Sequence, residues 1–120
     1  MRAALAMLVL VSLSQTAWSS PSTFFPTLRE CEEGSDFIRN AARSRDNGYS
    51  ENKIVGRFDE DVVVLSGMAP EKRWFIRSPG ATVFLRKALV AVFQMPKRPG
   101  DQASTFLAAC KEQVMTPDDL

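Results

Sequence analysis

Histidine is absent from these 120 residues, and cysteine occurs only twice. The missing imidazole removes the commonest general base, the usual activator of a serine or cysteine nucleophile and the commonest zinc ligand together. Ser/His/Asp and Cys/His mechanisms are thereby excluded. Cys31 and Cys110 stand far apart in the chain, so there is no Cys-x-x-Cys spacing to lower a thiol pKa, and a redox-active pair is not expected. Charge of one sign is also lacking, with 15 Lys and Arg against 14 Asp and Glu. A balanced chain has no long-range field to attract nucleic acid or an anionic membrane surface, and neither is expected as a partner. Internal repeats, heptad series and low-complexity tracts are missing, and alternating strand-like segments are scarce.

What is present begins with an apolar run at the amino terminus. Residues 1–19 have the parts of an export signal: Arg2 as the positive start, an apolar stretch from Ala3 to Leu13, and small Ala17 and Ser19 just before Ser20. A bilayer-spanning helix needs about 20 apolar residues. Ser12, Ser14, Gln15 and Thr16 interrupt this run earlier, so cleavage after Ser19 is expected and membrane insertion is not. The mature chain is expected to be periplasmic or secreted. Losing the signal removes only Arg2 and leaves a formally neutral chain of a size that suits one domain. The expected organisation is an extension over 20–26, a single helical domain over 27–114 and a flexible tail over 115–120. An oxidising compartment favours a Cys31–Cys110 disulfide, the single connectivity that two cysteines allow. Closing so long a loop stabilises the fold by at most about 4–5 kcal/mol.

Helix signals recur along the domain. Thr27-Leu28-Arg29-Glu30 reads as a capping box, in which the threonine hydroxyl and the glutamate carboxylate each satisfy an orphan amide. It opens a first helix over Leu28–Asp46 with Leu28, Cys31, Ser35, Ile38 and Ala42 as its inward stripe, widened by Phe37 and Ala41. Asn47-Gly48 ends that helix, and Ser50 caps a second, expected over Glu51–Leu65 and closed by Gly67. Its buried face is expected to hold Ile54, Val55, Phe58, Val62 and Leu65. Val62-Val63-Val64 is β-branched but continues the helical stripe, so a strand is rejected. A short helical turn is expected over Glu71–Ile76. Ser78-Pro79 then starts the most apolar helix, which Pro96 ends after Gln94. A last helix over Asp101–Val114 presents Phe106, Leu107, Cys110 and Val114 on one side. The expectation is an all-α, compact bundle of four main helices plus a short helical turn, with one disulfide linking the first and last helices.

Candidate chemistry is sparse. Asp46 through Glu51 superficially matches a calcium loop, but a twelve-residue loop needs glycine sixth and glutamate twelfth, where this chain has Glu51 and Arg57. A helix-ending turn with a capped restart accounts for the same residues. Asp36, Asp46, Asp59 and Asp61 lie on polar faces or at a turn, and read as solvated carboxylates rather than a catalytic pair. No catalytic, metal or cofactor residue is assigned. Arg73-Trp74-Phe75-Ile76-Arg77 places three large apolar residues on one turn, spread too widely for one buried stripe, so Arg73, Trp74 and Arg77 are the candidate contact with a partner. A tryptophan lid over a small core is the competing reading. Arg39, Arg43 and Arg57 are expected to sit on a solvated face.

Several stretches resemble a group of small exported proteobacterial proteins of unknown function: Ile38 through Ser50, Arg73-Trp74-Phe75, Val92-Phe93 with Pro96 and Pro99, and Phe106 through Cys110. The resemblance implies one disulfide-linked helical domain and carries no activity, ligand or catalytic residue. Periplasmic acid-stress chaperones and toxin-neutralising immunity proteins share only the general architecture. The expected function is a non-enzymatic binding or protein-interaction module whose partner is another protein. A chaperone, an immunity protein and, more remotely, a carboxylate-based hydrolase are the alternatives.

Overall fold

The computed structural model describes residues 24–68 and 73–114, so the expected signal, most of the 20–26 extension, the 115–120 tail and the start of the helical turn lie outside the described residues. Helix α1, Leu28–Asp46, begins where the capping box places it. The Glu30 amide donates to Thr27 Oγ1 at 3.1 Å and the Thr27 amide to Glu30 Oε1 at 2.9 Å, so two orphan donors are satisfied reciprocally. Asn47 and Gly48 end the helix, with Gly48 at φ +93°, where only glycine is unstrained. Cys31, Ser35, Ile38, Ala41 and Ala42 are buried as expected, but Leu28, at the first position of the helix, is 49% exposed and does not join them.

Helix α2, Glu51–Met68, starts at Ser50, whose Oγ accepts the Lys53 amide at 3.2 Å. It runs through Gly67, where a stop was expected. Gly67 is not among the positive-φ glycines, so nothing in its backbone turns the chain. Helix α3, Trp74–Arg77, is shorter and later than the turn expected over 71–76. Helix α4, Pro79–Gln94, has the expected bounds. Ser78 Oγ accepts the Ala81 amide, and Pro79 occupies the first turn, where its missing N–H costs nothing. Helix α5, Pro99–Lys111, begins two residues before the expected Asp101, with Pro99 likewise in its first turn.

The four longer helices and α3 form an all-α bundle with no strand among the described residues. Helix α1 packs along α5 and across α4, whereas α2 and α3 lean on α4 and on each other. Cys31, Ile38, Ala42, Leu85, Leu89, Val92, Phe106 and Cys110 form the centre. The Cys31–Cys110 disulfide lies there, wholly buried, with Cα atoms 5.6 Å apart, and ties α1 to α5 as expected. Polar groups reinforce that seam. Ser35 Oγ donates to the Ala103 carbonyl at 3.0 Å, and Arg45 reaches the carbonyls of Val92 and Lys97 at the end of α4 and in the loop beyond it. At the other end of α1, the buried Glu30 carboxylate pairs with Arg77 at 2.5 Å and holds α3 in place.

Candidate functional site

Because α2 packs on α4 rather than along α1, the α1–α2 hairpin is splayed, and a groove of about 670 Å³ lies between its arms. Helix α3 closes one end and Leu85 of α4 forms part of the floor. Four aromatic rings stand in its lining. Phe37 of α1 sits 6.0 Å from Phe58 of α2, Phe58 sits 5.9 Å from Phe75, and Phe75 meets Trp74 edge-on at 5.8 Å. Beyond the groove the contacts continue from Trp74 to Phe24, Phe84 and Phe106, so seven rings touch in one unbroken series through the domain.

Gly34 makes the close packing at the α3 end possible. A Cβ there would lie 2.5 Å from Phe106 and 3.1 Å from Trp74, so a side chain would push into the ring series. On the sequence alone this glycine looks like a weak point in α1. Its structural role is to let Phe106 and Trp74 approach the helix backbone.

The rim is charged. Glu33 on α1 lies 3.6 Å from Arg29, and Asp61 on α2 lies 4.0 Å from Arg57, each pair spaced i, i+4 and well exposed. These are solvated surface pairs. Although the two carboxylates share one groove, each stands beside its own arginine in open solvent, a setting that gives neither of them the burial an acid catalyst draws on. Among the described residues no three acidic or sulfur ligands converge, and no helix is long and apolar enough to cross a membrane.

The three residues singled out as a contact do not act as one surface. Trp74 is 8% exposed, stacked on Phe24, and forms groove wall rather than a free anchor. Arg73 stands at the rim, exposed. Arg77 is committed to Glu30 and does not line the groove. Sequence reading missed the partners that complete the wall, Phe37, Ile54, Phe58 and Leu65, since each fits equally well as ordinary core, whereas Phe75 lay within the segment singled out. Only Phe37, 38% exposed, carried a signal, because it lies at the edge of the inward stripe. Arg39 rests on Asp36 at 2.8 Å and Arg57 beside Asp61, the solvated face expected of them.

One exposed pair links α2 to the bundle. Arg86 of α4 donates Nε and Nη2 to the two oxygens of Asp59 at 2.9 and 3.0 Å. These hydrogen bonds hold the Asp59 carboxyl below its ordinary pKa, and the guanidinium charge acts in the same direction. A second, shallower hollow of about 330 Å³ lies beside α4 and α5 over Ile38, Phe84 and Phe106.

No protein family matches the chain, and no curated protein or solved structure gives a significant match to it.

Proposed function

We propose that this chain is a small exported binding protein, non-enzymatic, which engages another protein through the groove between α1, α2 and α3. The observation that carries the reading is the groove itself, a 670 Å³ concavity walled by Phe37, Phe58, Trp74 and Phe75 within a domain of modest size. Aromatic-lined concavities with a few polar groups at the rim are the usual form of a recognition site. The export signal and the buried disulfide support a site of action outside the cytoplasm. A photocrosslinking residue placed at Asn40, exposed in the groove, and separately at Lys111, exposed on α5, tests this in the cells that make the protein. A discrete adduct from position 40 alone is the expected result. Equal adducts from both positions, or none from position 40, would remove the proposal.

An acid-stress chaperone is the second reading, supported by how α2 is attached. One of its links to α4, from Asp59 to Arg86, uses a carboxylate that acid neutralises. In that reading α2 loosens at low pH and uncovers Phe58. A protein that keeps its near-UV signal and binds no hydrophobic dye down to about pH 2–3 is not an acid chaperone.

A further inference from the structure

We infer that the occupant of the groove is an amphipathic helix of another polypeptide, seated by apolar side chains at i, i+4, i+7 and i+11 and carrying a carboxylate at the end that meets Arg73. This rests on the groove reading above and specifies its partner. The walls extend from Glu33 to Ser44 on α1 and from Ile54 to Leu65 on α2, each about 16 Å along a helix axis. A concavity of that volume drawn out over that length is a trough about three helical turns long. An elongated occupant lying along it, with side chains directed between the two walls, matches that shape.

The track is longer than the cavity. Arg57, Asp61, Val64 and Met68 follow one another at spacings of four, three and four, which places them on one side of α2. Val64, beside the far end of the cavity, is 59% exposed and Met68, about one turn past it, is 75% exposed, so the α2 wall carries apolar surface to about 21 Å from Ile54. A small molecule enclosed in the cavity would leave that extension uncovered. A helix of three to four turns laid between two antiparallel helices covers all of it, with the packing that a bundle gives its own members.

Charge chooses the polarity of the occupant. Of the groove's four charged residues, Glu33 has Arg29 and Asp61 has Arg57, whereas Arg73 has no ion-pair partner among the described residues. Among the described residues the uncompensated charge is the Arg73 cation at the α3 end, which a carboxylate on the partner complements.

Panning random 16-residue displayed peptides against the full-length oxidised chain tests the inference, with Phe37→Glu, Asn40→Arg and Arg73→Glu as comparison targets, each checked for an unchanged amide spectrum away from the groove. Enriched sequences should share the four apolar positions and an acid at one end. They should lose tenfold or more in affinity on Asn40→Arg and Arg73→Glu, and regain it on Arg73→Glu when their acid is exchanged for lysine. Should Phe37→Glu not fold, Asn40→Arg alone serves as the blocked groove. Enriched peptides without helical spacing, or indifferent to the Arg73 charge swap, overturn this inference and leave the groove reading standing. If dodecanoate or phosphatidylglycerol vesicles shift the groove amides while no peptide enriches, the occupant is an amphiphile and the helix is wrong. Binding that ignores Asn40→Arg, or no enrichment with no shift, overturns the groove reading as well.

Discussion

Gly34 and Gly56 occupy helix interiors and would be read alike from sequence, yet their surroundings give opposite expectations. At Gly56 an added Cβ meets nothing within 4 Å, so Gly56→Ala gains helix propensity unopposed and should stabilise the protein by about 0.5–1 kcal/mol. At Gly34 the same gain is opposed by a Cβ driven against the Phe106 ring, and overpacking of a core typically costs about 1–3 kcal/mol. Gly34→Ala should therefore lower the urea midpoint while Gly56→Ala raises it. Parallel shifts in the two variants would mean that Phe106 is not seated on α1 as described. None of this is legible in the sequence, because the residue that makes Gly34 necessary lies 72 positions away, on the last helix. The capping box at Thr27 and Glu30 is the contrasting case: its donors and acceptors are three residues apart, so local chemistry announced it.

At the scale of the element, boundaries set by local signals were readable and those set by neighbours were not. Ser78-Pro79 and Pro96 bracket α4 through a local side-chain cap and proline sterics, and both ends fall where expected. Gly67 failed as a stop for α2, since glycine permits a turn without imposing one. The groove was illegible for a related reason. It depends on α2 packing on α4 instead of along α1, an arrangement to which the Asp59–Arg86 pair contributes across a gap of 27 positions. That pair also sets the acid response of α2. Because the folded carboxyl of Asp59 titrates below its unfolded value, its contribution is complete above about pH 4 and is lost as pH falls through the lower folded value. Asp59→Asn should flatten this part of the acid limb: urea midpoints of the variant and the parent should differ at neutral pH and converge toward pH 3. Curves that stay parallel throughout would show that the bridge contributes nothing to folding. Since both side chains are about half exposed, moderate salt should narrow the gap.

At the scale of the whole molecule, α1 is the member on which the others depend. It holds α5 through the disulfide and Ser35, the α4 end through Arg45, and α3 through Glu30. The paired cysteines and the all-helical class were readable from composition and spacing. The central position of α1 was not, because periodicity shows which face is buried but not by whom. Replacing both cysteines with alanine frees a loop spanning 79 positions and should destabilise the domain by up to about 4–5 kcal/mol, seen as a large fall in the melting temperature. With both sulfurs buried, reductant alone should act on the native protein no faster than it unfolds; rapid reduction under native conditions would contradict that burial.

The series of touching rings has a consequence for observation. Apart from Trp18 in the proposed export signal, the chain has one indole, Trp74, and it lies between Phe24 and Phe75 on the groove wall. Indole emission from a chain without residues 1–19 therefore originates from the proposed contact surface itself. Its unliganded spectrum should lie to the blue of free tryptophan and resist quenching by acrylamide, and anything entering the groove should alter it without an attached dye. Emission at the wavelength of a solvated indole would place Trp74 outside the wall. In the chain without Trp18 the native fluorophore and the proposed recognition surface coincide.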